Sequence, residues 1–373
     1  MSSSRRHILF LATEYDAPGM RPYARTIINT MWQEDDHVLI VTRHGADNDA
    51  FPDIPASAFS WIDYPTSKVS KALFRFHPAN VKRAIRQLIS SHAIDMVYSL
   101  TGELILAGCI KKLQQSVPLL YTVHDAVYHD YKFSNVFKGL KDRLIIAGPQ
   151  RRLFRDTPHK VTNSLAQLEL LKQSFPEHES HYAPFPTLVN DDIARGGNKV
   201  PELKSVEDGY ILFFGTLHLY KGVHLLYDAY LSHPELQSRP LVIAGTQDIY
   251  FERCAEEKNV LWINRFVDDR EVADLFSRAA VVVYPYISAT QSGVTSIASY
   301  FDKPMVLSDL PFFRQTCEDC QGVEFFPAGE AEALAAAISS SLQSPASTRS
   351  LYEHQYSTTA FRTALTAILQ STK

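Results

Sequence analysis

The chain has 373 residues, more than one hydrophobic core usually supports, and at 45% apolar it has the composition of an ordinary globular protein, so two domains are expected. Its 37 basic and 41 acidic side chains leave a net charge of −4, which argues against a nucleic-acid binder working by overall basicity. No apolar stretch approaches bilayer-spanning length, and MSSSRR leads straight into the strand-like HILFLAT, so no signal peptide is expected.

Apolar strand-like runs alternate with helix-period segments along the whole chain, the pattern of parallel sheets covered by helices. The first half predicts strands at His7–Ala12, His37–Thr42, Met96–Ser99, Leu119–Val123 and Lys160–Asn163. Between them Val81, Ile85, Leu88 and Ile89 give the clearest buried helix stripe. From Thr187 to Asp208 large apolar residues thin out around Gly196-Gly197, which reads as a linker. A second series follows at Tyr210–Phe214, Leu241–Ala244, Val260–Ile263, Ala280–Tyr284, Met305–Ser308 and Val323–Phe326. Glu330–Leu342 reads as a helix, and Phe361, Leu365, Ile368 and Leu369 mark a last amphipathic one. The division is therefore 1–186, a linker at 187–208, 209–348, and a C-terminal helical segment 349–373 packing back toward the first domain.

Two segments of the second half carry the chemistry. In YPYISATQSGVTSIASYFDKP a β-branched run ends in a small-residue turn, and Val294, Ile297, Ala298 and Phe301 then recur at the spacing of one buried helix face. Thr290, Gln291, Ser292 and Gly293 fall at the helix mouth, where unpaired N–H groups and the positive dipole end suit an anion, and Gly293 admits close backbone approach. Upstream, Tyr210–Phe214 ends at Gly215, and Lys221-Gly222 opens a helix with the stripe Val223, Leu226, Tyr227 and Tyr230. One lysine at such a helix start is a natural anion contact. Two mouths of this kind in one domain point to a nucleotide ligand.

Four cysteines, Cys109, Cys254, Cys317 and Cys320, include one CxxC pair without the second pair that zinc would need, so the pair reads as structural in a reducing cytoplasm. Asp35-Asp36, Asp191-Asp192 and Asp268-Asp269 read as solvated turn residues rather than metal ligands. Residues 131–155 interleave Lys132, Lys138, Lys141, Arg143, Arg151, Arg152 and Arg155 with apolar side chains. That stretch is either a peripheral contact with an anionic membrane or a helical pair with a basic solvent face.

With these motifs in place the chain resembles the GT-B glycosyltransferases, specifically the retaining family 4, group 1 transferases. FFGTLHLYKG is similar to the family's donor-phosphate segment, LVIAGTQD to its next strand and turn, and NRFVDDREVADLFSRAAVVVYPY to its base-binding loop, helix and strand. ATQSGV with FDKPMV looks like a variant of its most diagnostic block. The resemblance implies an α/β fold of two Rossmann-like domains whose parallel sheets face across an interdomain cleft. It implies donor contacts at Gly215, Thr216, Lys221, Gly245, Arg265, Phe266, Val267, Thr290, Gln291, Ser292, Gly293 and Val294. In the first domain YTVHDAVYHD resembles the segment whose histidine faces the transferred sugar, which points to His124, oriented by Asp125, with His129 as a further contact. The turn TEYDAPGMRPYA would approach the acceptor through Gly19 and Arg21.

The implied reaction is retaining transfer of a hexosyl unit from a UDP- or GDP-sugar to a saccharide or lipid-linked saccharide, with no cofactor, no metal and no nucleic acid. The chain would work in the cytoplasm, with the inner membrane face as a site of contact. It also departs from the pattern. Where family 4 usually has paired glutamates this chain has Ala289 and Ile297, and Thr216 replaces an arginine. Two alternatives therefore stand beside transfer: a GT-B-shaped nucleotide-binding subunit and a sugar-nucleotide epimerase. A pyridoxal-dependent phosphorylase would need a much longer chain.

Overall fold

The computed structural model describes residues 6–17, 19–102, 104–108, 110–126, 147–289 and 292–372. Its strands form two sheets, and every pairing in both is parallel. The first sheet holds β1 (Ile8–Ala12), β2 (His37–Thr42), β3 (Phe59–Asp63), β4 (Met96–Ser99), β5 (Leu119–Thr122), β6 (His159–Thr162) and β7 (Glu179–Tyr182). Their order is β3-β2-β1-β4-β5-β6-β7. The second holds β8 (Tyr210–Phe214), β9 (Leu241–Gly245), β10 (Val260–Asn264), β11 (Ala279–Tyr284), β12 (Met305–Ser308) and β13 (Val323–Phe326), in the order β10-β9-β8-β11-β12-β13.

Central strands are continuous apolar runs because helices cover both faces of a parallel sheet. Every residue of β1 is buried, and so are all but the last of β8. The two edge strands of the first sheet, β3 (FSWID) and β7 (ESHY), are only half-buried and carry no such run, so the apolar pattern did not announce them. In β3 an aromatic pair does the packing instead: Phe59 and Trp61 stack with centroids 5.5 Å apart, above Phe51.

Cα proximity divides the chain into two units, Met1–Pro184 with Phe361–Lys373, and Phe185–Ala360. The stretch 187–208 is no free tether: it forms a helix at Asp191–Arg195 and a 3-10 turn at Pro201–Ser205, and it buries Ile193, Val200 and Leu203 in the second unit's core. The last helix, Thr358–Ser371, buries Phe361, Leu365, Ile368 and Leu369, and Arg362 Nε donates to Thr30 O at 3.0 Å within the first unit. The helices of the first unit include α1 (Met20–Met31), which follows β1, and the pair α2 (Lys68–Phe76) and α3 (Ala79–Ser91), which lies between β3 and β4.

Each acidic pair has one member that the fold uses, while Asp35 is an exposed turn residue as expected. Asp36 is buried and accepts from Ile8 N at 2.8 Å and Gln33 N at 2.9 Å, pinning the start of β1 to the turn before β2. Asp192 meets Arg270 Nε at 3.0 Å, and Asp268 forms a capping box with Glu271 on the helix Asp269–Ser277. Among the described residues there is no group of three side chains able to hold a metal ion. Cys317 and Cys320 are buried free thiols, Cys254 is exposed, and Cys109 lies outside the described residues.

Candidate functional site

In the second sheet β8 sits between β9 and β11, so the chain runs outward one way through β9 and β10 and the other way through β12 and β13. At such a reversal the loops leaving the two central strands diverge and open a crevice at their carboxyl ends. The two segments singled out by sequence leave β8 and β11, and so both lie at this point.

After β8 the chain passes Gly215, where Gly215 N donates to Ala244 O at 3.0 Å, and turns through the 3-10 helix Leu219–Lys221. Gly222 follows at φ +65 and opens the helix Val223–Ser232. A Cβ at Gly222 would stand 1.8 Å from Pro285 O, so no other residue fits. Ile287 N donates to Tyr220 O at 2.8 Å, which locks the loops after β8 and β11 together.

This clamp places Lys221 on an aromatic floor. Its Nζ donates to Tyr286 Oη at 2.7 Å and lies 3.8 Å from the centre of the same ring, with the Tyr220 ring centre at 5.1 Å. The side chain is 8% exposed, and no carboxylate pairs with it among the described residues. Burial pulls the ammonium down from 10.5 to about 8, an effect the Tyr220 phenol partly offsets. Tyr286 Oη in turn meets Ser292 Oγ at 3.3 Å, so Lys221 and Ser292 join one polar chain through a tyrosine that sequence reasoning passed over. The signal was present: Tyr286 extends the apolar run of β11 by two residues and still ends in a hydroxyl.

Beyond Ser292 the helix Val294–Tyr300 is only seven residues long, and Phe301, its C-cap, packs on the same core as Val294, Ile297 and Ala298. Ser296 Oγ donates to Gly293 O at 2.6 Å and accepts from Leu188 N at 3.0 Å. A Cβ at Gly293 would reach 2.6 Å from the Leu188 side chain and 2.7 Å from that of Phe185, so packing alone favours glycine there. Val294 is half-buried, with its carbonyl accepting from Tyr284 Oη at 3.3 Å. Thr290 and Gln291 lie outside the described residues. Ile297 is 4% exposed in the core, and Ala289 packs against that core.

The neighbouring strands bring the remaining candidates to the same edge. Gly245 ends β9 with its Cα against β8: a Cβ there would stand 1.7 Å from Gly215 O. Thr216 is half-buried and its carbonyl accepts from His218 N at 3.0 Å. Arg265, after β10, is spent internally. Its Nε and Nη2 donate to Glu202 at 2.7 and 2.8 Å, Nη1 and Nη2 donate to Glu271 at 2.7 and 2.9 Å, and Nη1 also donates to Phe266 O at 3.1 Å. All five guanidinium donors are thus committed. Those carboxylates push Arg265 above its ordinary value and hold Glu202 and Glu271 below theirs. The arrangement makes Arg265 a support of its loop as well as a candidate donor contact. Val267 is buried beneath, and Phe266 projects, 72% exposed.

The first sheet reverses between β1 and β4, and its candidates gather there too. His124 follows β5 with Nε2 2.9 Å from Leu100 O, and the Tyr23 ring of α1 stands edge-on to the imidazole at 4.8 Å. The Tyr23 hydroxyl donates to Asn163 Oδ1 at 2.8 Å, so α1 and β6 both fix the histidine's surroundings. Asp125 O accepts from Gln150 Nε2 at 3.0 Å, and Ala126 N donates to Gln167 Oε1. Gly19 caps α1 at φ +77. Arg21 is tied down by Asp16, Nη2 to Oδ1 2.6 Å, and Asp16 also accepts from Arg43 N at 2.6 Å. His129 and residues 131–146 of the basic stretch lie outside the described residues, while Arg151, Arg152 and Arg155 fall on the helix Gly148–Asp156. Glu14, which sequence reasoning also passed over, reaches this edge as well. Its N–H donates to Thr101 Oγ1 at 3.1 Å, its carboxylate lies beneath Gly102, and burial raises its carboxyl against the opposing charge of Arg75.

Residues 208–344 match the family model described as Glycosyl transferases group 1, a span that covers the second sheet and both loops of its switch point. Anabaena HepE, solved with UDP and glucose, superposes at a TM-score of 0.70 with 16% identity, covering 98% of this chain and 100% of that one. Sucrose-phosphate synthase from Thermosynechococcus elongatus gives 0.68 with 18% identity over 98% and 97%. A UDP-forming α,α-trehalose-phosphate synthase from Burkholderia vietnamiensis gives 0.64 with 12% identity over 98% and 100%. No curated protein matches. The fold is that of the GT-B class, two α/β units each built on a parallel sheet. Within it the second unit carries the group 1 glycosyltransferase match.

Proposed function

We propose that the chain is a retaining glycosyltransferase that moves a hexosyl unit from a UDP- or GDP-sugar to a saccharide or lipid-linked saccharide in polysaccharide or glycolipid synthesis, without a metal ion. The observation that carries this reading is Lys221: a buried ammonium with no carboxylate partner among the described residues, at the switch point of the sheet that matches the transferase family. An anion arriving there recovers the charge stabilisation that burial removed. The neighbours solved with UDP and with UDP and glucose make a nucleoside diphosphate sugar the natural candidate.

Breaking the glycosidic bond builds negative charge on the β-phosphate. Lys221, together with the amides of Ser292 to Val294, stabilises that charge more in the transition state than in the ground state. Thr290 and Gln291 complete the donor contacts. Attack comes from the same face through an oxocarbenium-like species, with the leaving phosphate helping to take the acceptor's proton. The first unit supplies His124 to the transferred sugar, Asp125 to orient it, and Gly19, Arg21 and His129 to the acceptor. Phe266 offers its exposed ring to the base, while Arg265 holds the loop that presents it. Cytoplasmic location and membrane contact through 131–155 belong to this reading.

A second reading is favoured by Ile297, whose burial leaves the usual glutamate position in the core. In it the chain binds a nucleotide and transfers nothing. Incubation with a panel of UDP-, GDP- and dTDP-sugars plus cell lipid extract separates the two: release of nucleoside diphosphate supports transfer, and tight binding without release supports the subunit.

A further inference from the structure

The two switch points differ in the charge that the fold leaves without a counterion. In the second sheet it is the ammonium of Lys221. In the first it is a carboxylate. Glu14 is half-buried, follows β1, and stands where the sheet order reverses between β1 and β4. Its N–H donates to Thr101 Oγ1 at 3.1 Å, Leu100 N donates to Leu11 O at 2.8 Å, and Tyr121 Oη donates to Gly102 O at 2.9 Å. These bonds fix the turns that leave the two central strands, and the carboxylate lies between them. A Cβ at Gly102 would stand 2.8 Å from Glu14 Oε2, so the β4 turn carries a glycine where the carboxylate needs room.

Other charges of this edge answer one another. Arg21 pairs with Asp16 at 2.6 Å and Arg25 pairs with Asp47, while Arg43 lies 4.9 Å from the Tyr64 ring centre. Among the described residues no cation forms an ion pair with Glu14, and Arg75 of α2 acts on it through its charge alone. Burial raises the carboxyl above its ordinary value, and the Arg75 charge and the Leu104 N–H offset only part of that. A carboxylate so placed takes hydrogen-bond donors: it offers about four lone-pair sites, which neighbouring hydroxyls of a sugar ring can fill together. A phosphate would meet like charge in a partly desolvated site.

We propose that Glu14 binds hydroxyl groups of the acceptor, and that the acceptor ring held at this edge presents free hydroxyls rather than a phosphate ester. This rests on the transfer reading and names the acceptor class for it: a neutral saccharide ring, selected against sugar phosphates by an uncompensated carboxylate.

The test is saturation-transfer NMR on the full chain with saturating UDP. Methyl α-D-glucoside, methyl α-D-mannoside and N-acetylglucosamine are titrated against glucose 6-phosphate and mannose 6-phosphate. Wild type should bind at least one neutral sugar, with the phosphates weaker by about tenfold or more. Glu14→Gln keeps the shape and removes the charge, and should weaken that sugar by about 10–100-fold, the loss expected for a hydrogen bond to a charged group, while narrowing the discrimination against phosphates. Gly102→Ala crowds the carboxylate without removing its charge and should weaken the sugar as well. UDP affinity, measured by calorimetry, should be unaltered in both variants. Glu14→Gln should melt no lower than wild type at pH 7, because it relieves a charge that burial disfavours, whereas a structural carboxylate would lower the melting temperature when lost. Unchanged sugar binding in Glu14→Gln, a wild type that prefers the sugar phosphates, a lower melting temperature in Glu14→Gln, or UDP binding with no neutral sugar bound would each overturn the proposal and leave the transfer reading standing. Absence of UDP binding would instead end the transfer reading, and this proposal with it.

Discussion

Each unit buries a lysine that pairs with no carboxylate among the described residues, and the two have different meanings. Lys160 lies near the start of β6, fully buried, with Nζ on Thr157 O and His178 Nδ1 and the Phe175 ring centre 4.9 Å away. Burial alone pulls it down to about 7. Lys221 lies past the carboxyl end of β8, on Tyr286, pulled down to about 8. The electrostatic cost is similar, but at the amino end of a strand the lysine is enclosed by its own unit. At the carboxyl edge beside a topological switch it stands at the end of the sheet where ligands bind in open α/β folds. A depressed lysine therefore marks a site only in combination with its place in the sheet.

The comparison is broken most severely by removing Lys221. Lys221→Ala should lower nucleoside diphosphate release by about 10²–10³-fold, as loss of a transition-state charge contact does, with little loss of thermal stability. Wild-type turnover in that variant would end the assignment. The pH profile of binding gives the next largest effect. The free Lys221 titrates at about 8, and a bound diphosphate favours its charged form. UDP affinity should hold below that pH and weaken as pH rises through it, by up to about tenfold per unit. Calorimetry between pH 6 and 10 measures this, and Lys221→Ala should flatten the curve.

Arg265→Ala tests the difference between a supporting cation and a contacting one. It leaves Glu202 and Glu271 facing each other without their shared partner, so we predict a loss of roughly 1–3 kcal/mol in urea unfolding with UDP affinity reduced less than tenfold. A change of affinity without a change of stability would return Arg265 to the ligand.

Lys160→Met should give the smallest and opposite effect. The folded chain releases this proton at about 7 and the unfolded chain near 10.5, so wild-type stability rises with pH across that window and the penalty is complete below it. The variant should melt higher by a few degrees at pH 6, of the order expected for about 1–2 kcal/mol. The gain should shrink toward pH 10 and diphosphate release should be unchanged. A variant that melts lower at pH 6 would show that the bonds to Thr157 and His178 outweigh the desolvation.

Much of the fold could be read directly because strands covered on both faces must be apolar throughout. The runs of β1, β2, β8, β11 and β12 are of that kind, and so the alternation of strands and helices stood out along the chain. Edge strands escape that rule: β3 and β7 each leave a side half-exposed, and nothing in FSWID or ESHY declares a strand. Lys221 and the small-residue turn were likewise visible as residue types at the ends of buried runs.

What the sequence determined by itself was therefore the class of architecture and the places where backbone and charge leave a strand, since periodicity and turn chemistry are local properties. The tertiary structure alone decided which of those places meet. Tyr286 links Lys221 to Ser292, Arg265 is consumed by Glu202 and Glu271, and Glu14 comes to lie under Gly102. Each depends on strand order, which brings together residues tens of positions apart and is written in no single segment.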